Sequence, residues 1–223
     1  MEVMVKSIVS MKGVGAVLAF WGALGGGSGR IDFDGLRAGA TPRNSVIERD
    51  RVQVKLDTTA PSQPNVLQLT PEQQGKDGSS LALFNPVVCR DGDVTVKFRM
   101  GSGPSAKGAG IVWRYRDADN YYLLDFSADR KDIQLIRVKD GVALPLRISG
   151  TKVGATGVFH DLKAGQWYVA RVIFRGDSIR VMLGNRKLFE AWDSGLQVAG
   201  RSGVSSRGGN GVSFDDFRIE KHS

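Results

Sequence analysis

Arginine, tyrosine and aspartate side chains recur between Gly110 and Gly141 in a pattern that indicates a ligand-binding surface. The segment alternates as three short strands joined by two turns, and successive side chains of a strand point to opposite faces. Pairing the first two strands across the loop 117–120 gathers guanidinium groups, a phenol and a carboxylate on one face, and pairing Phe126 with Ile133 of the third strand adds an amide. Sugars suit such a face, because they offer hydroxyls to hydrogen-bonding groups and a flat side to an aromatic ring. The predicted ligand-binding residues are Arg114, Arg116, Tyr121, Asp125 and Gln134.

The opposite face of the same strands is apolar and is expected to face a core. It carries Ile111, Trp113, Tyr115, Tyr122, Leu124 and Phe126. Two alternatives remain open at this point. Arg114 and Asp125 are diagonal neighbours in this register and would also form a simple cross-strand ion pair. A slip of one residue would exchange the faces and place Trp113 and Tyr115 in the ligand surface. Trp167 and Trp192 lie at or near strand ends, where packing at the rim is the expected role.

Catalytic residues are harder to find than binding residues. Cleavage of a glycosidic bond needs two carboxyl groups at a set separation. Beyond the first 29 residues the glutamates are isolated from one another: Glu48, Glu72, Glu190 and Glu220. Asp193 is three residues from Glu190, so the two side chains face opposite ways on a regular strand. The chain has two histidines, His160 and His222. A catalytic triad or a two-histidine metal site is therefore not expected.

Asp215 is a candidate calcium ligand. If Phe217 and Ile219 face inward, Asp215 does so by parity, and an inward carboxylate needs a partner. A structural calcium ion near the chain ends would supply one, with Asp34 or Asp32 as a second carboxylate ligand. The alternatives are hydrogen bonds from the backbone or an arginine, or a bulge that turns Asp215 outward.

The elements that carry these residues are predicted to be strands. Apolar and polar residues alternate in several short runs, which are bounded by glycine, aspartate, asparagine or proline. Clear cases are 51–57, 93–99, 167–175, 178–183 and 211–220. No stretch has a convincing helical period, and no βαβ unit is evident. The pattern predicts an all-β fold, a single antiparallel β-sandwich of jelly-roll type over residues 30–223.

The order of short motifs resembles that of a known superfamily. Ile31-Asp32-Phe33-Asp34-Gly35 opens the domain, and Gly110–Tyr115 with Asn120–Leu123 forms its middle. Phe214-Asp215-Asp216-Phe217 closes it. Together they are similar to bacterial exported proteins of the concanavalin A-like lectin/glucanase superfamily, and within it to laminin-G-like members grouped with the 3-keto-disaccharide hydrolase domain. The resemblance implies two packed antiparallel sheets and a face that often binds sugars.

The N-terminal segment is expected to be an export signal. Lys6 and Lys12 precede the apolar run 14–24, and a glycine-rich stretch follows at 25–29. This order is typical of a secretory leader over residues 1–29, with cleavage after Gly25 or Gly29. A retained membrane anchor and a buried helix are the alternatives. A leader would place the protein in the periplasm or outside the cell.

Charge and cysteine content narrow the possible partners. The net charge is +8, and the arginines are spread along the chain rather than grouped, which argues against a dedicated nucleic-acid site. Attraction to an anionic envelope polymer stays open. Cys89 is the single cysteine, so no intrachain disulfide forms. We therefore expect a carbohydrate- or envelope-binding module without catalytic residues. A glycan hydrolase and a structural or protein-interaction domain are the alternatives.

Overall fold

The computed structural model describes residues 27–42, 45–48, 51–70, 79–103, 107–208 and 211–222. These residues form two antiparallel sheets of eight strands each, packed face to face. The predicted all-β sandwich of jelly-roll type is confirmed. Within the described residues no helix has the length and apolar character that crossing a membrane requires.

The first sheet joins strands from both ends of the chain. Its strands run in the order β14-β13-β12-β6-β16-β4-β3, and β1 pairs with β16 beside β4. Their bounds are β1 Ser28–Ile31, β3 Arg51–Leu56, β4 Asn65–Thr70, β6 Gly92–Met100, β12 Trp167–Arg175, β13 Ser178–Leu183, β14 Arg186–Trp192 and β16 Val212–Lys221.

The second sheet contains the segment with which the sequence analysis began. Its strands run in the order β10-β9-β8-β7-β15-β5-β2, and β11 also pairs with β9. Their bounds are β2 Ser45–Glu48, β5 Ser79–Cys89, β7 Gly108–Asp117, β8 Asn120–Ser127, β9 Asp132–Lys139, β10 Val142–Pro145, β11 Gly157–Phe159 and β15 Gly200–Arg207.

One hydrophobic core fills the space between the sheets. Phe98 of the first sheet packs on Phe126 of the second, with ring centroids 4.6 Å apart. Trp113 lies between Tyr122 and Phe174, at 5.4 and 6.0 Å. The residues expected to face the core at Ile111, Trp113, Tyr122, Leu124 and Phe126 do so. Cys89 is also buried in this core, where burial raises the pKa of its thiol to about 11.

The predicted register of β7 and β8 is wrong beyond the turn, because β7 contains a bulge. Asp117 pairs with Asn120, but the next pairing is Trp113 with Tyr122, so three residues of β7 oppose one of β8. Arg114 has a left-handed φ of 48° within this bulge. An irregularity of this kind breaks the alternation of side chains. Arg114 therefore points toward the core, and Tyr115, predicted to face the core, points to the outer face.

The N-terminal prediction lies largely outside the described residues. Residues 1–26 carry most of the expected leader, and the structure gives no description of them. Ser28 and Gly29, which we assigned to the leader, are part of β1 and pair with Glu220 and Ile219 of β16. The sandwich thus begins at least two residues earlier than predicted.

Candidate functional site

A groove crosses the outer face of the second sheet. It consists of two connected depressions of about 120 and 270 Å³, which share Ser79, Leu123 and Ser205 in their walls. Its centre lies over Gly110, whose neighbours across the sheet are Asp125 on β8 and Ser205 on β15. A Cβ atom at Gly110 would lie 2.3 Å from Ser205 Oγ and 2.6 Å from Leu123 Cδ1. The two side chains therefore form the floor here only because position 110 has none. We call this feature the second-sheet groove.

One half of the second-sheet groove is apolar and aromatic. Tyr115 and Tyr121 stand side by side, with ring centroids 5.6 Å apart and planes tilted by 32°. Val112 and Leu123 pair across β7 and β8 beside them. The Arg201 guanidinium lies 5.5 Å from the Tyr115 ring centroid. This apolar half offers the aromatic and aliphatic contact surface that small-molecule sites use for most of their lining.

The other half is charged. Arg130 Nη2 donates to Asp125 Oδ2 at 2.6 Å, and Arg207 Nη2 lies 3.5 Å from the same oxygen. Each arginine also contacts a second carboxylate: Arg130 reaches Asp132 at 3.1 Å, and Arg207 reaches Asp129 at 3.2 Å. The arginines are thus held between acids by charge-assisted hydrogen bonds.

Asp129, beside this charged half, is held in its ionised form. Asp129 accepts hydrogen bonds from Ser127 and Arg207. Burial acts to raise the pKa of Asp129, but the bonds from Ser127 and Arg207 outweigh it and lower the pKa to about 2. A carboxyl group with so low a pKa cannot act as a proton donor near neutral pH.

Arg114 does not belong to this site, and its predicted ligand-binding role is wrong. Its side chain is fully buried at one end of the sandwich. Nε donates to the Arg90 carbonyl at 2.7 Å, Nη1 to the Leu196 carbonyl at 2.9 Å and Nη2 to the Gly176 carbonyl at 2.8 Å. Its ion-pair partner is Asp91, at 3.3 Å, rather than Asp125. Burial is the main cause that lowers the pKa of this guanidinium. Arg114 therefore joins three loops and has no free surface for a ligand.

The other predicted ligand-binding residues divide into two groups. Tyr121 and Asp125 line the second-sheet groove, and their ligand-binding role stays a prediction. Gln134 pairs with Asp125 as expected, but its Nε2 donates to Asp132 at 2.9 Å and the residue is not among those that line the groove. Arg116 is exposed beside the turn after β7 and likewise lies outside the lining.

The sequence analysis missed several groove residues, among them Tyr115, Arg130, Ser205 and Arg207. Tyr115 was assigned to the core because the bulge was not foreseen, and Arg130 lies in a turn with no periodicity. Ser205 and Arg207 come from β15, which the alternation did not single out. One feature of the sequence could have indicated the groove. Gly108 and Gly110 leave two successive positions on one face of β7 without a side chain, which is typical of a surface that a ligand or another chain segment approaches closely.

Asp215 and Asp34 have protein donors where calcium was predicted. Asp215 accepts hydrogen bonds from the Ser62 N–H at 2.7 Å, the Ser62 hydroxyl at 2.8 Å and the Asp216 N–H at 2.7 Å. Burial raises the pKa of Asp215, against the effect of the Ser62 bonds. Asp34 accepts from the Asn65 N–H at 3.0 Å.

This environment does not fit a calcium ion, because carboxylates surrounded by N–H and O–H donors are not arranged as cation ligands. In the described part of the chain, no three His, Cys, Asp or Glu side chains are grouped to hold a metal ion. Calcium binding stays a prediction without support from this arrangement.

The remaining aromatic and histidine candidates lie apart from the groove. Trp167 packs under the Arg99 guanidinium, which is 5.0 Å from its ring centroid. Trp192 is 58% exposed at the end of β14, so it does not pack at the rim as predicted. His160 contacts the edge of Tyr168, and His222 Nδ1 accepts a hydrogen bond from Arg175.

Comparisons with known proteins identify the class of fold. The carbohydrate-binding module CBM66 from Bacillus subtilis superimposes with a TM-score of 0.60 at 14% identity, covering 78% of this chain and 94% of the module. The Bacillus licheniformis β-glucanase gives 0.56 at 10% identity, covering 89% and 99% of the two chains. The exoplasmic/lumenal domain of VIP36, solved with calcium and Man3GlcNAc, gives 0.52 at 14% identity, covering 81% and 84%.

These likenesses show that the chain has a concanavalin A-like β-sandwich fold, as the sequence resemblance implied. No protein-family model matches the sequence. No curated protein matches it at a significant level.

Proposed function

We propose that this protein binds carbohydrate in the second-sheet groove and does not cleave it. One observation carries the proposal: the aromatic, apolar half of the groove adjoins the charged half without interruption. A sugar ring presents C–H groups on one side and hydroxyls around its edge. The apolar half suits the C–H side of the ring. In the charged half, arginine groups donate hydrogen bonds to the sugar hydroxyls and aspartate groups accept hydrogen bonds from them.

The charges of the groove favour hydroxyl groups over a strongly charged ligand. Arg130 and Arg207 are opposed by Asp125 within the groove and by Asp129 and Asp132 behind it. The local charge is therefore close to balanced. A neutral sugar loses little on leaving water if each of its hydroxyls finds a partner, whereas an ionised ligand would meet charges of both signs.

The state of the carboxylates supports binding rather than hydrolysis. A glycosidase needs one carboxyl group that remains protonated near neutral pH, beside a second one that is ionised. Asp129 has a pKa of about 2, so it does not fit the part of the general acid. Asp125 forms ion pairs with Arg130 and Arg207. The fold neighbours include both a carbohydrate-binding module and a glucanase, so the fold is compatible with either function.

Export is part of the same proposal. The leader pattern of residues 1–29 favours a periplasmic or secreted protein, where polysaccharides are available. Of the two predicted cleavage positions, the one after Gly25 leaves β1 intact, since β1 begins at Ser28. N-terminal sequencing of the protein from its native envelope fraction tests this point, and an intact Met1 in the cytosol would contradict it.

A glycan array probed with the full chain tests the binding function. We expect a defined set of neutral glycans to bind. Tyr121→Ala, in the apolar half, and Arg130→Ala, in the charged half, should each weaken binding by about tenfold, the usual cost of removing a central contact. Trp192→Ala and Arg186→Ala remove an exposed aromatic and an exposed arginine from the first sheet, and should bind like the wild type.

A hydrolysis screen run beside the array separates the alternatives. It uses the bound glycans and a set of 3-keto-glycosides, the substrates implied by the family resemblance. No released sugar is expected. Release of sugar would favour the hydrolase alternative if Arg130→Ala retains this activity and substitution of Asp125 abolishes it. An absence of any bound glycan would favour the structural or protein-interaction alternative.

A further inference from the structure

Basic side chains form a straight row across the outer face of the first sheet, on the side opposite to the second-sheet groove. Arg30 of β1 pairs with Arg218 of β16, which pairs with Thr95 of β6. Thr95 pairs with Arg171 of β12, and the row continues through Met182 of β13 to Lys187 of β14. Because neighbouring strands lie about 4.8 Å apart, the six strands give a row roughly 24 Å long. We call Arg30, Arg218, Arg171 and Lys187 the basic row.

The acids of this face lie beneath the cations. The four side chains of the basic row are 45–55% exposed. Their carboxylate partners are far less exposed: Asp93 by 5%, Asp216 by 7% and Glu190 by 20%. The exposed ends of these four side chains are therefore cationic, and their carboxylate partners lie underneath them.

Asp216 shows how this layering arises. It has a left-handed φ of 49° at the bulge of β16 and receives Arg30 and Lys97, each at 2.7 Å, with Arg218 at 3.9 Å. Burial opposes its ionisation, but the bonds from Lys97 and Arg30 hold its pKa below the ordinary value. The Asp216 carboxylate thus lies among three cations. Two of them, Arg30 and Arg218, are directly opposite each other on β1 and β16, and without the carboxylate this pairing of like charges would be unfavourable.

Each cation keeps donors for a ligand. A guanidinium has five N–H groups, and Arg171 donates one of them to Asp93. Between Arg171 and Arg218 lies a depression of about 320 Å³ over the short side chain of Thr95, and Lys97 and the carboxylates Asp93 and Asp216 also line it. Among the described residues of this face, Glu220 is the acid that is exposed; it pairs with Asp93 outside the row and also lines this depression.

We propose that the basic row binds a linear acidic polysaccharide laid across the strands. The match is one of charge and of shape: four cations in one line face a polymer that carries carboxylates at intervals along an extended chain. Guanidinium groups bind carboxylates in a bidentate manner, and the depression over Thr95 leaves room for one between two arginines. This surface is separate from the second-sheet groove and needs no sugar bound there.

Two other polyanions fit the row less well. Single-stranded nucleic acid binds through aromatic side chains interleaved with cations, whereas the residues between these cations are Thr95 and Met182. A bilayer is usually entered by apolar side chains on protruding segments, but this row lies on the face of a sheet.

Affinity electrophoresis of the full chain through polygalacturonate tests the proposal. We expect retardation in low salt that decreases as NaCl rises, and none with fully methyl-esterified polygalacturonate, which lacks the charges. The triple variant Arg30→Gln, Lys187→Gln, Arg218→Gln should bind about tenfold more weakly or worse, with a shallower salt dependence. It leaves Asp216 with Lys97, Glu190 with Arg180, and the Arg171–Asp93 pair intact.

A matched variant separates position from net charge. Lys139→Gln, Lys152→Gln, Lys163→Gln removes three exposed cations from elsewhere on the molecule and should bind like the wild type. Equal weakening by both triple variants, or equal retardation in the esterified polymer, would overturn the proposal. So would tighter binding of anionic phosphatidylserine vesicles or of single-stranded DNA through the same three residues. If the first triple variant melts early, Arg218→Gln alone should still show a smaller, selective loss.

Discussion

The buried side chain of Arg114 connects three loops at one end of the sandwich. A fully buried guanidinium is costly to bring out of water, and it is tolerated only where every donor finds an acceptor. Here three backbone carbonyls from three separate loops, together with Asp91, accept four hydrogen bonds from it. The Tyr122 and Phe174 rings complete the enclosure, at 5.8 and 5.5 Å from the guanidinium. Arg114 is thus a structural residue.

Arg114→Ala is expected to destabilise the protein. It would leave the carbonyls of Arg90, Gly176 and Leu196 without a donor and open a space beside Trp113. Removal of one partner from a buried charge network costs on the order of 3–5 kcal/mol. Chemical denaturation followed by circular dichroism measures the loss. Arg116→Ala, two residues away and exposed, serves as the control and should change stability by less than about 0.5 kcal/mol. Equal stability of the two variants would contradict the structural role.

A second buried network lies close to Arg114. The Tyr122 hydroxyl donates to Asp193 Oδ1 at 2.5 Å and accepts from the Leu196 N–H at 3.1 Å. Arg137 Nη1 donates to Asp193 Oδ2, also at 2.5 Å. Burial acts to raise the pKa of Asp193, but the bonds from Tyr122 and Arg137 outweigh it and lower the pKa. The two networks fix the segment before β15 against the core and so set where β15 enters the second sheet.

The bulges of β7 and β15 must fit one another for the groove to form. Gly200, the first residue of β15, lies against the bulge of β7, and the pairing of these strands shifts between Arg201 and Gly203. A Cβ atom at Gly200 would lie 2.4 Å from the Arg114 carbonyl carbon and 2.6 Å from the Tyr115 nitrogen. These are backbone atoms, so no side-chain rotation relieves the clash. The close approach of the strands therefore requires glycine at position 200.

Gly200→Ala should consequently separate β15 from β7 at this point. We expect a loss of stability of roughly 1–3 kcal/mol, in the range of overpacking within a well-packed interior, and weaker glycan binding because Tyr115 moves with the bulge. Thermal melting and the glycan array measure the two effects. Gly35→Ala is the matched control, since its added Cβ meets no atom within 4 Å. If both variants melt alike, the proposed contact between the bulges is wrong.

The sandwich as a whole shares one core between the two sheets. Val94, Phe98 and Phe174 of the first sheet belong to the same buried cluster as Trp113, Leu124 and Phe126 of the second. Neither sheet can keep its apolar face covered without the other. The two outer faces are then free for different ligands, a near-neutral groove on one side and a basic row on the other.

The shared core predicts that the sheets unfold together. In urea, far-UV circular dichroism, which reports on all strands, and fluorescence of the tryptophans, among them Trp113 in the core, should give coincident transitions. Two separate transitions would show that one sheet survives alone. Addition of polygalacturonate should move both curves to higher urea by the same amount, because a ligand that binds only the folded state stabilises the entire cooperative unit.

Several features of this protein followed from the sequence by itself. Alternation with period two predicted the strands, and their turns predicted an antiparallel sandwich, because burial of one face imposes that spacing on each strand. The same rule placed Trp113, Tyr122 and Phe126 in the core and put Tyr121 and Asp125 on the outer face, where the groove lies. It also gave the pairing of Asp125 with Gln134, since no irregularity intervenes between β8 and β9.

The tertiary structure decided where that alternation fails. A left-handed residue in β7 exchanged the faces of Arg114 and Tyr115, and a bulge in β16 directed Asp216 to the outer face beside Arg30 and Lys97. No local pattern marks either position, because the acceptors of Arg114 and the cations around Asp216 come from strands and loops distant in the chain. The groove and the basic row are likewise properties of strand order. The groove forms because β15 lies beside β7, and the basic row forms because β1 lies beside β16. Packing of the entire core determines which strands are neighbours, and the residues of a single strand do not.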